Sequence, residues 1–154
     1  MTIRSNHYKR GGNMAKIKHI AISSTNPDET AKFYKECFGL EEVGKLDGKN
    51  AYGYYLSDGD INMAILNFKN DDVAGEEFGK EYSGIHHIGF QVESMADTEE
   101  KLKQAKSSPR ESINKALGVG MDNRHANVEV KYAGPNGEII DISQTGWVGT
   151  SGID

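Results

Sequence analysis

Two stretches of this 154-residue chain carry one pattern, and the pattern limits what the chain can fold into. Sliding the sequence by 68 residues places Ile17 on Ile85, His19 on His87, Ile20 on Ile88 and Thr30 on Thr98, so that one strand-then-helix segment falls on another. Self-similarity at a fixed offset marks a duplicated structural unit, here two small modules sharing one core. Both leading segments alternate. In the second, Ile88, Phe90 and Val92 point to one face while Ile85, His87, Gly89 and Gln91 point to the other. In the first, Ile20 and Ile22 oppose Ile17, His19, Ala21 and Ser23. Each strand therefore sets an imidazole opposite an apolar stripe, and Gly89 leaves room over the backbone for a ligand to approach.

Residues 14–68 read as the first module. A strand over Lys16 to Ser24 leads to a helix capped by Asn26, with Pro27 at its first position, acidic Asp28 and Glu29 in its first turn and Gly39 as its stop. Asp47-Gly48 and Asp58-Gly59 then divide the next stretch into three strands, Glu41 to Leu46, Ala51 to Leu56 and Ile61 to Phe68. Residues 69–83 form a polar, acidic connector that suits a mobile flap, with Asp71, Asp72, Glu76 and Glu77 as solvated charge. The second module spans 84–146. Ser94 caps its helix and Pro109 ends it; Ser107 to Arg124 reads as a long loop with a short strand near Ile113; Pro135-Asn136-Gly137 turns a final hairpin of Asn127 to Ala133 and Glu138 to Ser143. Residues 147–154 form a tail, in which Trp147 anchors the chain end or a subunit contact. The polar segment 1–13 reads as a disordered leader or an expression remnant. The expected fold is α+β, two βαβββ modules forming a cupped, mostly antiparallel mixed sheet with the helices outside.

A net charge of -5 and a pI near 5.5 argue against nucleic-acid or anionic-membrane partners, which call for a positive footprint, and leave small molecules or proteins. No apolar run reaches the roughly 18 residues of a membrane span. The single cysteine, Cys37, supports no intrachain disulfide and suits a reducing, cytoplasmic setting.

Asp141 shares a strand face with Ile139 and Ser143, opposite Ile140 and Ile142. Three strands thus present His19, His87 and Asp141 on the faces turned away from the helices. Two imidazoles and a carboxylate are the facial set that holds iron(II), manganese(II) or zinc while leaving positions open for substrate or oxygen.

The repeated module, together with Lys16-Ile17-Lys18-His19-Ile20, His86-His87-Ile88-Gly89-Phe90 and Gly134-Pro135-Asn136-Gly137-Glu138-Ile139-Ile140-Asp141-Ile142, resembles the vicinal oxygen chelate superfamily over nearly all of Lys16 to Gln144. That superfamily includes glyoxalase I, methylmalonyl-CoA epimerase, extradiol dioxygenases and the fosfomycin and bleomycin resistance proteins. The resemblance implies metal ligands at His19, His87 and Asp141, a divalent ion (iron, manganese, zinc or nickel), a small oxygenated substrate bound through two neighbouring oxygens, and a homodimer. Two departures stand out: the fourth ligand expected of glyoxalases and epimerases falls at Ala64 or Ile65, which cannot bind metal, and the terminal carboxylate is aspartate where glutamate is usual. Three ligands match the dioxygenase count, so the expected activity is dioxygenase-like or that of a glyoxalase-like lyase or isomerase. The alternative is a metal-free sequestering protein of the bleomycin-resistance type, with the same three residues as an internal hydrogen-bond network. Tyr132, on an aromatic position common in the family, and His125, at the mouth of the cup, are candidate catalytic groups. His86, opposite in sidedness to His87, reads as structural; Glu129 and Lys131 read as a solvated strand face, and Asn62 and Asn67 as pocket wall or strand ends.

Overall fold

The computed structural model describes residues 14–120 and 129–151. The leader and His125 lie outside the described residues. In the first module the expected order appears as β1 (Lys16–Ser23), α1 (Pro27–Phe38), β2 (Glu41–Asp47), β3 (Ala51–Ser57) and β4 (Asn62–Phe68). Asn26 caps α1 by accepting from the Glu29 N–H, and Gly39 closes it at φ 71°, a left-handed conformation that a side chain resists.

The connector holds a short helix, α2 (Asp71–Ala74), capped by Asn70, and buries Val73 and Ala74. Two apolar residues thus anchor the segment expected to act as a mobile flap. Glu77, read as solvated charge, pairs with Arg110 at 2.6 Å. The second module runs β5 (Gly84–Gln91), α3 (Met95–Gln104), α4 (Glu111–Ala116), β6 (Val130–Ala133) and β7 (Ile139–Ser143). Where a loop with a short strand near Ile113 was expected, α4 buries Ile113 completely. Its Asn114 takes over a strand's work: the amide oxygen accepts from the Lys131 N–H at 2.8 Å and the amide nitrogen donates to the Lys131 carbonyl at 3.0 Å.

The seven strands of the described residues join one sheet in the order β2-β3-β4-β1-β5-β7-β6. β1 runs parallel to β4 and β5 parallel to β7, with the remaining pairs antiparallel. The antiparallel β1–β5 pair is the seam between modules, and it joins them within one chain. Helices α1 and α3 cover one face, with Ala31 of α1 packed against Leu56 and Ile65 in the first module and Met95 of α3 against Val130 and Ile142 in the second. The opposite face is the cup.

Strict alternation fails at two places on the seam. Lys18 on β1 and His86 on β5 are extra residues in the pairing, β-bulges that recur at the repeat offset. Each turns a polar side chain inward, leaving Lys18 and His86 only 3% exposed, while Ile17 and Ile85 are pushed out to 53% and 65%. His86 is therefore not on the far side from His87; the two rings touch.

Candidate metal centre

β1, β5 and β7 are consecutive in the sheet, so residues at matching heights on their inner faces must meet. His19 pairs with Gly89, and Gly89 pairs in turn with Asp141. One donor atom from each of His19, His87 and Asp141 lies within 4.8 Å of the others, and all three side chains are buried. His19 Nε2 and His87 Nε2 are 3.0 Å apart, and Asp141 Oδ2 is 3.0 Å from His87 Nε2. The aspartate therefore reaches, despite being one methylene shorter than glutamate.

Hydrogen bonding fixes where the ring protons sit. His86 Nε2 faces the Ala74 carbonyl at 2.6 Å, and a carbonyl only accepts, so this nitrogen carries the hydrogen. Burial, then the neighbouring His87, pushes His86 down to about 4, so its Nδ1 is a bare acceptor at neutral pH. It receives the His87 Nδ1–H at 2.8 Å. Burial also lowers the His87 pKa, against the pull of Asp141, which leaves His87 neutral and its Nε2 a lone pair. On the first module the logic repeats with another partner. Asn62 donates to the Val148 carbonyl at 2.9 Å, so its oxygen accepts the His19 Nδ1–H at 2.8 Å. Burial, then His87, pushes His19 down to about 3 and bares its Nε2.

The two imidazole Nε2 atoms and Asp141 Oδ2 thus converge, with His87 Nε2 3.0 Å from each of the other two, and a shared cation would hold all three. The two spacings to His87 fit: donors on adjacent corners of an octahedron with bonds of about 2.1 Å lie about 3 Å apart. Outer hydrogen bonds that set the tautomer and orientation of the rings are what a metal-binding histidine requires.

The carboxylate's other oxygen is taken. Lys131 Nζ donates to Asp141 Oδ1 at 2.8 Å, with side-chain exposures of 5% and 0%. Burial raises the Asp141 pKa, but Lys131 and His87 outweigh it and hold the carboxyl well below its usual range. Lys131 is shifted the other way and raised: burial works against its charge, and Asp141 and Glu129 overcome that. Glu129, half-buried just before β6, is pushed up to about 7 by burial and then by the charge of Asp141. The expected solvated face at Glu129 and Lys131 is therefore corrected, since both line the cup. The hairpin carried the signal: its register sets Lys131 across from Asp141, and Glu129 shares that face.

A cavity of about 270 Å³ opens over the donor set. His19, His87, Glu129 and Lys131 form its polar end, and Ala64, Leu66, Phe68 and Leu117 line the apolar side. Ala64 occupies the slot expected of a fourth ligand and is fully buried. The space over Gly89 is taken by the chain's own side chains. A Cβ there would lie 2.7 Å from the His19 Cβ and 2.8 Å from two Trp147 ring atoms, so the glycine makes room for those rings. Trp147 stacks on His19 at 4.7 Å with an interplanar angle of 1°. Its tail is held by Ser57 donating to the Gly149 carbonyl and by Asn62 on Val148. Tyr132 packs with Val92, Met95 and Ile142 on the helix side of the sheet and does not line the cup. Asn67 donates to the Ser24 carbonyl at a strand end. Among the described residues no helix is long and apolar enough to cross a membrane.

Comparison with known proteins agrees with this architecture. The sequence profile of the Glyoxalase/Bleomycin resistance protein/Dioxygenase superfamily matches residues 16–135. No curated protein matches. Among solved structures, a methylmalonyl-CoA epimerase variant from Streptomyces coelicolor, in complex with 2-nitronate-propionyl-CoA, is 18% identical with a TM-score of 0.59, covering 82% of this chain and 92% of that one. A hypothetical protein from Bacillus halodurans is 18% identical with a TM-score of 0.61 (84% and 93% covered). The methylmalonyl-CoA epimerase of Mycobacterium tuberculosis is 13% identical with a TM-score of 0.58 (82% and 85% covered). At these identities the likeness is one of fold.

Proposed function

The chain belongs to the Glyoxalase/Bleomycin resistance protein/Dioxygenase superfamily, and we propose that within it this protein is a divalent-metal-dependent enzyme of the isomerase or lyase type, moving a proton at a carbon beside an oxygen-bearing group of a small metabolite. The observation that carries the reading is the meeting of His19 Nε2, His87 Nε2 and Asp141 Oδ2, three donors whose protons are accounted for elsewhere. A divalent cation held by these residues supplies Lewis-acid stabilisation of negative charge developing on a substrate oxygen. The other roles fall to the chain itself. Glu129, with a pKa near 7 at the wall of the cup, can take a proton and return it, which suits a general acid-base at neutral pH. Leu66, Phe68 and Leu117 exclude water from the reacting carbon. Epimerases among the fold neighbours make an isomerase reading natural.

A dioxygenase reading is favoured by one observation, the alanine at position 64, which leaves a three-donor set with open positions. The metal-free reading fares worse, because it leaves three lone pairs facing one another. Elemental analysis of protein purified without added metal is expected to give about one divalent ion per chain, lost in His87→Ala. Solvent deuterium exchange into a panel of 2-oxo, 2-hydroxy and acyl thioester compounds is expected to fall about 100-fold in Glu129→Gln with metal content unchanged. Oxygen uptake without deuterium exchange would favour the dioxygenase, and absence of metal from the wild-type protein would defeat both.

A further inference from the structure

The family profile ends at residue 135, and the tail after β7 lies beyond it. From Gln144, whose carbonyl accepts from Gln91 on β5, this tail leaves the second module, crosses the seam and ends on the first. Asn62 donates to the Val148 carbonyl at 2.9 Å, and Ser57 to the Gly149 carbonyl at 2.6 Å. Lys18 donates to the Ser151 hydroxyl at 2.9 Å, and that hydroxyl donates to Asp60 at 2.7 Å. The last residues of the described chain are thus tied to β1, to β3 and to the β3–β4 turn and the start of β4.

The two imidazoles of the donor set are held in different ways. His87 is backed by His86, which is bound in turn to the Ala74 carbonyl, and both partners precede the tail by more than fifty residues. His19 depends on the tail twice. Trp147 lies flat on its ring, and the Val148 carbonyl engages Asn62 Nδ2, which turns the Asn62 oxygen toward His19 Nδ1. We propose that Trp147 is a positioning residue for His19 and that residues 146–151 are the strap that holds it, so that the chain's end sets the direction of His19 Nε2 in the donor set. This inference rests on the metal-dependent reading above. A stacked indole resists rotation of the imidazole about its Cβ–Cγ bond, and the Asn62 hydrogen bond resists displacement within the ring plane. Gly89, across from His19 on β5, offers no side chain of its own to do this. Without the indole the ring is free to turn into the space over that glycine.

The test uses the full-length, metal-free protein and zinc alone. Zinc affinity is read by competition with a chelating indicator, folding by urea unfolding, and docking of the tail by acrylamide quenching of Trp147, the sole tryptophan, which is buried when docked. Trp147→Ala is expected to weaken zinc binding at least ~10-fold, the lower end of what the outer partners of a metal ligand contribute. Trp147→Phe keeps a ring on His19 and is expected to stay within ~3-fold of wild type. Gly149→Ala acts from a distance. Its Cβ would meet Val43 at 2.8 Å and Ser57 at 2.9 Å, at a φ of 78° that a side chain resists, and it touches no metal ligand. Trp147 is expected to become open to acrylamide in this variant and zinc binding to fall ~10-fold; if Trp147→Ala does not fold, Gly149→Ala carries the test. Wild-type zinc affinity in a folded Trp147→Ala, or in a Gly149→Ala whose tryptophan has become quenchable, overturns the role of the strap and leaves the metal-dependent reading standing. A loss as large in Trp147→Phe as in Trp147→Ala overturns it too, since a stacked ring would then not be what holds His19. A wild-type protein that binds no zinc while Trp147 stays shielded removes the metal-dependent reading and this inference with it.

Discussion

In the first module, β3 and β4 set Tyr55 across from Ala64; in the second, β6 and β7 set Lys131 across from Asp141 at the same step of the register. The seam residues that flank these pairs correspond as well, Ala21 beside Ala64 and Gly89 beside Asp141. Backbone geometry is thus shared, and the side chains divide the work. The second module supplies the charge of the centre, and the first supplies one imidazole and the space above it. Where an ancestral repeat would place equal ligands, this chain keeps a carboxylate on one side and a methyl group on the other, and the cavity opens over the methyl group.

The sharpest way to break the comparison is to remove the carboxylate. Asp141→Ala makes the second module chemically like the first at this step, but it leaves the Lys131 ammonium buried without its partner. Removing one member of a buried ion pair typically costs about 3–5 kcal/mol. Urea unfolding of the metal-free protein is expected to show a loss of that size. A loss under about 1 kcal/mol would mean that Lys131 finds water and that the two modules are equivalent after all. Gly89→Ala probes the same asymmetry from the seam, since Ala21 already carries the Cβ that position 89 cannot. The clash falls on the His19 Cβ and on a Trp147 ring held by its own tail, neither of which can swing aside. Overpacking of this kind is expected to cost about 3 kcal/mol by thermal or urea unfolding, against about 1 kcal/mol for Ala21→Gly.

Acid should act on both modules through their histidines. His19, His86 and His87 all have pKa values lowered in the folded chain, mainly by burial, so the unfolded chain binds the protons. Their contribution to stability is complete above the unfolded value near 6.5 and is lost as pH falls toward the folded values of about 3 for His19 and about 4 for His86. Between pH 6.5 and 5, His19 alone is expected to account for on the order of 2 kcal/mol of lost stability. His19→Gln should flatten that part of the profile, and a profile unchanged by the substitution would mean that this imidazole is solvated in the folded protein.

What the sequence disclosed follows from the same division. The seam strands announce themselves because alternation and the repeat offset reinforce each other, so His19, His87 and Asp141 could be placed on inner faces before any coordinates. Lys131 and Glu129 were read as solvated because a charged residue on a strand usually is; their burial depends on Asp141, a partner on another strand. The turn at Pro135-Asn136-Gly137 does fix that register, so the pair was legible to anyone who closed the hairpin. His86 was not, because a bulge shifts one residue without leaving a mark in the pattern. Nor was α4, whose N-cap residue Arg110 makes no side-chain capping bond to the helix and whose placement owes much to Asn114 bonding a strand 17 residues along the chain.

The smallest expected effect concerns that last residue. In the first module β3 is flanked by a full strand, β2; in the second, β6 has Asn114 and the turn before α4 in that place. Asn114→Ala removes the acceptor of the Lys131 N–H but spares its carbonyl, which also receives the Arg110 N–H at 2.8 Å. One buried donor is therefore orphaned, with an expected cost of about 1 kcal/mol. Amide hydrogen exchange should speed up at Lys131 while the amides that join β2 to β3 keep their protection. If β6 as a whole loses protection instead, the side chain of Asn114 carries that edge of the sheet, and the second module relies on one amide where the first uses a strand.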